Sequence, residues 1–420
     1  MPPISRRSLL TGLGATAVLV GAAACTAQPA AAPSADPAAG TVLEESAVHT
    51  IAVTVDAAAF TDMLQTYVDS GDKEWIKADV TIDDQSFSGV GIKLKGNSSL
   101  RGVTTDTAAE TLPLRIRLDK YVDDQLMDGY GDFTVRSNSS ATALNEAVAL
   151  DLLEVAGLAS EKAIFTRYSV NGSAEVFRLT VQNLDDVWVG ENFPDAGDDS
   201  VLYKAESEGD WSWRGDDGDY SSSFDIEAGK DGYQPLIGLL DLLNNGTSSE
   251  LAKQLPSLLD LDAFATYLAF QEAVDNFDDI DGPGNNSYLF WDSGDEQFTV
   301  VAWDHNLAFG VSNRGGGGGG GGDQPGGGRP TGTRPNGGGN GGGPGGRART
   351  NPLVTAFKAN TDWSKTYDQQ LSALTTSFTS GGALVTALDA RISTLKAGAS
   401  DLVDADTLTS EGDAIRAYAG

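Results

Sequence analysis

An α+β fold, β-rich in its N-terminal half and helical in its C-terminal half, is predicted by three features of this 420-residue sequence. Apolar and polar residues alternate over short runs in the first half, and apolar residues recur at helical spacing in the second. A glycine-rich stretch is inserted within the helical half. An apolar content of 40%, with 8% aromatics, is enough to fill a core, so the chain is not a disordered acidic tail.

Composition narrows the chemistry. Sixty acidic against 28 basic side chains leave a net charge of −32, which argues against nucleic acid as a partner because phosphate binding needs a clustered basic face. Only two histidines, His49 and His305, and one cysteine, Cys25, are present. A Cys/His zinc site and an internal disulfide framework therefore lack their ligands, and no G-x-S-x-G nucleophile elbow occurs. Chemistry is left to carboxylates, amides, lysines and arginines, and the oxygen donors among them suit a hard cation such as magnesium or calcium.

The N-terminus reads as an address. Ser5-Arg6-Arg7-Ser8-Leu9-Leu10 resembles a twin-arginine export signal, followed by an apolar run from Leu13 to Ala24 too short to span a bilayer. Ala22-Ala23-Ala24-Cys25 looks like a lipobox with Cys25 as the lipidated residue; an ordinary cut after Ala-x-Ala is the other reading. Both make the chain exported, either a lipoprotein facing outside the cell membrane or a secreted protein. Residues 1–25 are thus the signal and 26–45, rich in Ala, Pro and Ser, a flexible tether.

Within the body, Ser46–Asp56 alternates as a strand and Ala57–Val68 has helical spacing. Trp75–Ile82 and Val90–Leu94 pair around an Asp-Asp turn, and Leu114–Leu118 and Asp132–Arg136 are further strands. Asn145–Ala156 reads as a buried helix closed by Gly157. Phe165–Val170 and Glu175–Val181 form a hairpin around Asn171-Gly172. Pro235–Leu243 and Asp262–Val274 are amphipathic helices, and Ser287–Trp291 with Gln297–Trp303 make a second hairpin. Gly315–Gly346 holds twenty glycines and has no Gly-Lys-Ser/Thr, so it is a linker or disordered insertion rather than a phosphate loop. The division expected is 46–205 as a β-rich part, and 206–312 plus 351–400 as a helical part. Residues 313–350 form the insertion and 401–420 a C-terminal tail.

Chemistry concentrates between Asp275 and Gly310. The loop Asp275–Asn286 is crowded with oxygen-bearing side chains, yet placing the glycine of an EF-hand at Gly282 puts Phe277 in the first ligand position. A symmetric hairpin around Asp292–Asp295 brings Asn286 opposite Asp304 to within a residue. Asp278 sits on the loop feeding the same open end. A carboxylate, an amide and a second carboxylate arranged around a hairpin are how protein kinases hold magnesium and orient the receiving hydroxyl. Asp and Asn are also ordinary turn formers at strand ends, the blander reading of the same residues.

Several motifs resemble one known family. Ile92-Lys93-Leu94-Lys95-Gly96-Asn97-Ser98-Ser99, the alternating Leu114-Arg115-Ile116-Arg117-Leu118, Tyr168-Ser169-Val170-Asn171-Gly172 and Leu202-Tyr203-Lys204-Ala205-Glu206 occur in order. Asn276-x-Asp278, Asn285-Asn286-x-Tyr288-Leu289 and Trp303-Asp304-x-Asn306-x-Ala308-Phe309-Gly310 follow. Together they resemble the spore coat protein H (CotH) kinase-like family over roughly Trp75 to Gly310, and more weakly to Ala390. Two positions depart from its pattern. Val181-Gln182 stands where a glutamate beside a glutamine is usual, and Asn285-Asn286 where His-Asn is common.

The resemblance implies an atypical protein-kinase-like fold transferring phosphate from ATP to protein serine with Mg2+. Asp278 would be the catalytic carboxylate, and Asn286 and Asp304 the metal ligands. Lys95, Arg115, Arg117 or Lys204 would neutralise the phosphates, Arg115 and Lys204 ranking first; each also reads as a surface or core-edge charge. The partners expected are an unidentified protein substrate and a membrane met only through the lipid anchor, with the protein itself a monomer. Two readings of other classes stand beside this one: a catalytically silent relative that binds or organises the cell envelope, and a cation-stabilised adhesin.

Overall fold

A strand with one apolar face must bury it, and a sheet of such strands can do so by closing on itself. The computed structural model describes residues 42–311 and 351–420. The export signal with Cys25, most of the tether and the glycine-rich insertion lie outside these residues.

Seven strands close into a barrel: β1 (Val48–Val55), β2 (Ile76–Ile82), β3 (Gln85–Leu94), β4 (Leu114–Arg117), β5 (Asp132–Val135), β6 (Ala163–Val170) and β7 (Val176–Gln182). Their order is β1-β2-β3-β4-β5-β7-β6. Closure is parallel, β1 against β6 with Ile51 opposite Tyr168, whereas the other neighbours are antiparallel. Val53, Val80, Val90, Ile92, Leu94, Ile116 and Val135 point inward as one core. Helix α1 (Ala57–Ser70) lies after β1, with the Asp56 carboxylate accepting from Ala59 N and Gly71 ending it at φ 83°.

Helix α2 (Leu144–Val155) and α3 (Asp186–Asn192) lead into a second sheet. It comprises β8 (Val201–Ala205), β9 (Phe224–Gly229), β10 (Ser287–Asp292) and β11 (Gln297–Ala302), in the order β11-β10-β8-β9. Around it lie α4 (Gln234–Asn245), α5 (Ser248–Leu258), α6 (Leu261–Ala273), α7 (Pro352–Ala359), α8 (Thr361–Phe378), α9 (Ala383–Gly398) and α10 (Ala405–Arg416). A second core joins α2, this sheet and these helices through Leu153, Phe264, Phe270, Leu289, Val300, Phe357 and Leu388. No single helix among the described residues is long and apolar enough to cross a membrane.

Most elements lie within two or three residues of their expected bounds. β8 was legible only as a motif, because it is buried on both faces and does not alternate. Helix α5 contains Pro256 and buries only Leu255, so its helical signal is faint. Two ends differ from expectation. Val42 and Leu43 are 2% and 3% exposed, so the packed body begins before residue 46. The stretch read as a tail contains α10, whose Glu411 carboxylate accepts from Ala141 N and Thr142 N at 3.0 Å each.

Candidate functional site

Three chain segments meet where the hairpin β10–β11 opens. Ser287 pairs with Ala302, so the residues just beyond them, Asn286 on one side and Trp303-Asp304 on the other, emerge together. The loop from α6 supplies Asp278. Asn286 Nδ2 donates to the Asp278 carbonyl at 2.9 Å, and Gly284 N donates to Asp278 Oδ1 at 2.5 Å. A Cβ on Gly284 would sit 2.7 and 2.8 Å from the two Asp278 carboxylate oxygens and 3.0 Å from Asn286 Nδ2. The missing side chain therefore lets the Asp278 carboxylate and the Asn286 amide lie against the Gly284 backbone. Burial, reinforced by the charge of Asp304, holds the Asp278 carboxyl above its ordinary range, against the pull of the Gly284 amide. The structure thus brings Asp278, Asn286 and Asp304 together.

Backbone conformation around the site is unusual. Asp275, Asn285, Asp304 and Phe309 all have positive φ, 50°, 53°, 62° and 59°. Such conformations cost a side-chain-bearing residue about 1 kcal/mol or more and persist where surroundings enforce them. The enforcement is visible: Phe309 N donates to Val274 O at 2.6 Å, and Tyr418 Oη to Asp275 Oδ2 at 2.9 Å. Behind the loop, Asn276 Nδ2 donates to Gln271 Oε1 at 2.8 Å, and Gln271 Nε2 lies 3.2 Å from His305 Nε2. Burial, with Arg136 close by, drops His305 to about 3, so its imidazole is neutral. Asn285, one of the family departures, accepts from Trp211 Nε1 at 3.1 Å and donates to Glu206 O at 3.0 Å. It ties the loop to the end of β8 and does not face the reaction space.

Arg136 and Glu146 are components that sequence reading missed. Arg136 follows β5 directly, with Nη2 2.7 Å from Glu146 Oε1 on α2 and Nη1 3.2 Å from Asp304 Oδ1. Burial works against its charge, but Glu146, Asp304 and Glu161 outweigh it and keep the guanidinium protonated. Its Cζ also lies 4.9 Å from the centre of the Trp303 ring. The signal was an arginine ending a fully buried strand; its partners, Glu146 on the next helix and Asp304 just past β11, are tied to it by no local period. Asp304 Oδ1, though near this cation, is buried and accepts no aligned hydrogen bond among the described residues.

The four basic candidates separate. Lys95 Nζ stands 5.8 Å from the Trp303 ring and has no ion pair among the described residues. Burial, together with Lys204, Arg115 and Lys93, pulls its ammonium down to about 7. Lys204, opposite Tyr288 in the sheet, is paired with Glu206. Arg115 is saturated, with Nη2 2.7 Å from Asp132 Oδ2 and Nη1 3.2 Å from Glu227 Oε2. Arg117 turns to Asp119 at 2.8 Å. Lys95 and Lys204 therefore border the Trp303 side, while both strand arginines already have carboxylates.

Among the described residues, no three His, Cys, Asp or Glu side chains cluster as a ready-made metal site. The candidate differs in kind, with two carboxylates and an amide. Its donors are hard oxygens, one of them a buried carboxylate oxygen lacking a hydrogen bond, and they suit a small divalent cation.

No curated protein matches this sequence. The CotH kinase protein family matches residues 92–406, from β3 into α10, and so takes in the barrel strands bearing Lys95 and Arg115, the hairpin and the loop of Asp278. With three quarters of the chain inside that match, and the acidic hairpin mouth at its centre, the protein belongs to the CotH kinase protein family.

Proposed function

We propose that this chain is an atypical, kinase-like enzyme that transfers the terminal phosphate of ATP to a serine hydroxyl of a protein, with magnesium. The observation that supports the reading is that Asn286 bonds to Asp278 beside Gly284, while Asp304, at the same hairpin mouth, is close enough to raise the Asp278 carboxyl. Asn286 and Asp304 would hold the metal, which when bound would neutralise phosphate charge.

Asp278 receives the proton of the acceptor hydroxyl; its raised carboxyl is a better base than an ordinary aspartate. Arg136 fixes Asp304, and Glu146 fixes Arg136, so the ligand geometry is set from behind by the barrel end and α2. Lys95 offers a cation with no carboxylate of its own for the phosphates, and Lys204 stands beside it. Phe277, 46% exposed, forms an apolar lip next to Asp278. Export, with lipid attachment through Cys25, belongs to the same proposal and rests on the N-terminal motifs alone.

Thermal shift with ATP and magnesium, paired with phosphate incorporation into added protein, tests the reading. The melting temperature should rise with both ligands together, EDTA should abolish the rise, and Asp304→Ala should remove both shift and transfer. Asp278→Asn should keep the shift and lower kcat by about a hundredfold or more. No shift under any condition would make the chain a silent relative.

A further inference from the structure

The outer face of the barrel beside this site carries a cluster of basic side chains, in which the arginines are paired with Asp132, Glu227 and Asp119 and the lysines form no ion pair among the described residues. β2, β3 and β4 are adjacent, with Lys77 and Arg117 both opposite Gly91 and Lys93 opposite Arg115. Inward positions are apolar, so these cations share the outer face. Trp75 lies across them. Its ring centre is 4.8 Å from Lys93 Nζ, 5.2 Å from Lys120 Nζ and 5.9 Å from Arg115 Cζ. A Cβ at Gly91 would strike Lys120 at 2.5 Å and Trp75 at 3.1 Å, so the absent side chain is what lets the indole and this lysine lie on the sheet.

Tyr121 extends the face, its hydroxyl donating to Trp75 O at 3.2 Å under Lys77 Nζ, 4.9 Å from its ring centre. Lys73 Nζ donates to Gly96 O at 2.6 Å and connects the patch to the Lys95 loop.

Lys73, Lys77, Lys93 and Lys120 form no ion pairs among the described residues. Several cations elsewhere do have carboxylate partners: Arg167 pairs with Glu175 and Asp401, Lys230 with Asp199, Lys365 with Asp362 and Arg416 with Asp389. In a chain of net charge −32, lysines crowded together while carboxylates abound mark a place where an anion is expected from outside. Burial chiefly, with Arg115 beside Lys93 and Lys204 beside Lys73, lowers both ammonium groups against the opposing pull of Glu227 and Asp132 on the first and Glu206 on the second. Exposed Asp79, Asp123 and Asp124 border the patch, so the positive zone is short. A long polyanion would overrun it into repulsion, whereas a short stretch of carboxylates would not.

We propose that this face docks an acidic segment of the acceptor protein, with its carboxylates over Lys73, Lys93 and Lys120 and a side chain stacked on Trp75. The acceptor's identity as a phosphate receiver rests on the kinase reading; the docking itself does not. The probe is a short fluorescein-labelled peptide of glutamates and aspartates around one serine, beside a twin with glutamines and asparagines, followed by anisotropy with the full-length protein.

The acidic peptide should bind and the amide twin should not, and binding should weaken from ~50 to ~300 mM salt. Lys73→Glu/Lys93→Glu/Lys120→Glu should lower affinity at least about tenfold, and exposed Lys120→Glu alone should lower it measurably. Equal binding of the two peptides overturns the proposal. So does undiminished binding by Lys120→Glu or by a triple variant with parental melting, or tighter lysine-dependent binding of oligothymidylate or phosphatidylglycerol vesicles. Lysine-dependent peptide binding without any phosphate transfer would keep the docking face and remove the kinase reading. Transfer to both peptides at equal KM would keep the kinase reading and remove the docking face.

Discussion

Glu161 shows how the interior bears on the reaction space at the level of one side chain. Both its carboxylate oxygens are buried and accept no hydrogen bond among the described residues. Burial raises its carboxyl to about 8 from an ordinary 4.5, with Arg136 pulling the other way. Between those pH values the folded chain keeps a proton that the unfolded chain has released, so stability falls as pH rises through the window. Glu161→Gln should flatten that slope and raise stability near pH 8 by on the order of 1–3 kcal/mol, read by denaturant unfolding at about pH 5 and pH 8. Asp278, Asn286 and Asp304 could be named from sequence because a single hairpin and its feeding loop place them. Glu161 and Arg136 could not, since a charged residue next to a strand looks the same whether its partner is water or a buried guanidinium.

At the scale of elements, the hairpin β10–β11 positions the site and the loop from α6 shapes it. The register with Ser287 opposite Ala302 is set by the tight turn Ser293–Glu296 between the paired Asp292 and Gln297, since β10 is buried on both faces and does not alternate. The loop depends on Gly284, where even a methyl group would press on the Asp278 carboxylate. Gly284→Ala should therefore cut the magnesium-dependent thermal shift and kcat about tenfold or more, while shifting the apo melting temperature by only a few degrees. A smaller loss would mean the loop moves aside. Helices α2 and α6 were legible as long apolar runs, but both are buried on nearly all sides, so α6 is not the amphipathic helix expected; β8, buried on both faces, was too short to give such a run.

Across the whole molecule, the C-terminus completes structure begun much earlier. The turn leading into helix α2, with Ala143 at φ 51°, is pinned by Glu411 on α10, whose carboxylate accepts from Ala141 N and Thr142 N. Helix α2 carries Glu146, which holds Arg136, which holds Asp304. Glu411→Ala should cost ~1–2 kcal/mol through the orphaned amides and should also weaken the magnesium-ATP response, although residue 411 lies far from the site in sequence. Unchanged stability would show that water satisfies those amides.

The sequence by itself determined the class of fold, the oxygen-only chemistry and the three side chains at the hairpin mouth, because alternation, composition and one short-range turn carry that information. Barrel closure by β1 against β6, the capture of both strand arginines by carboxylates and the support of Asp304 through Arg136 were decided only by tertiary structure. Each joins residues that no local period or spacing connects, and the free energy that brings them together is burial shared across the whole core.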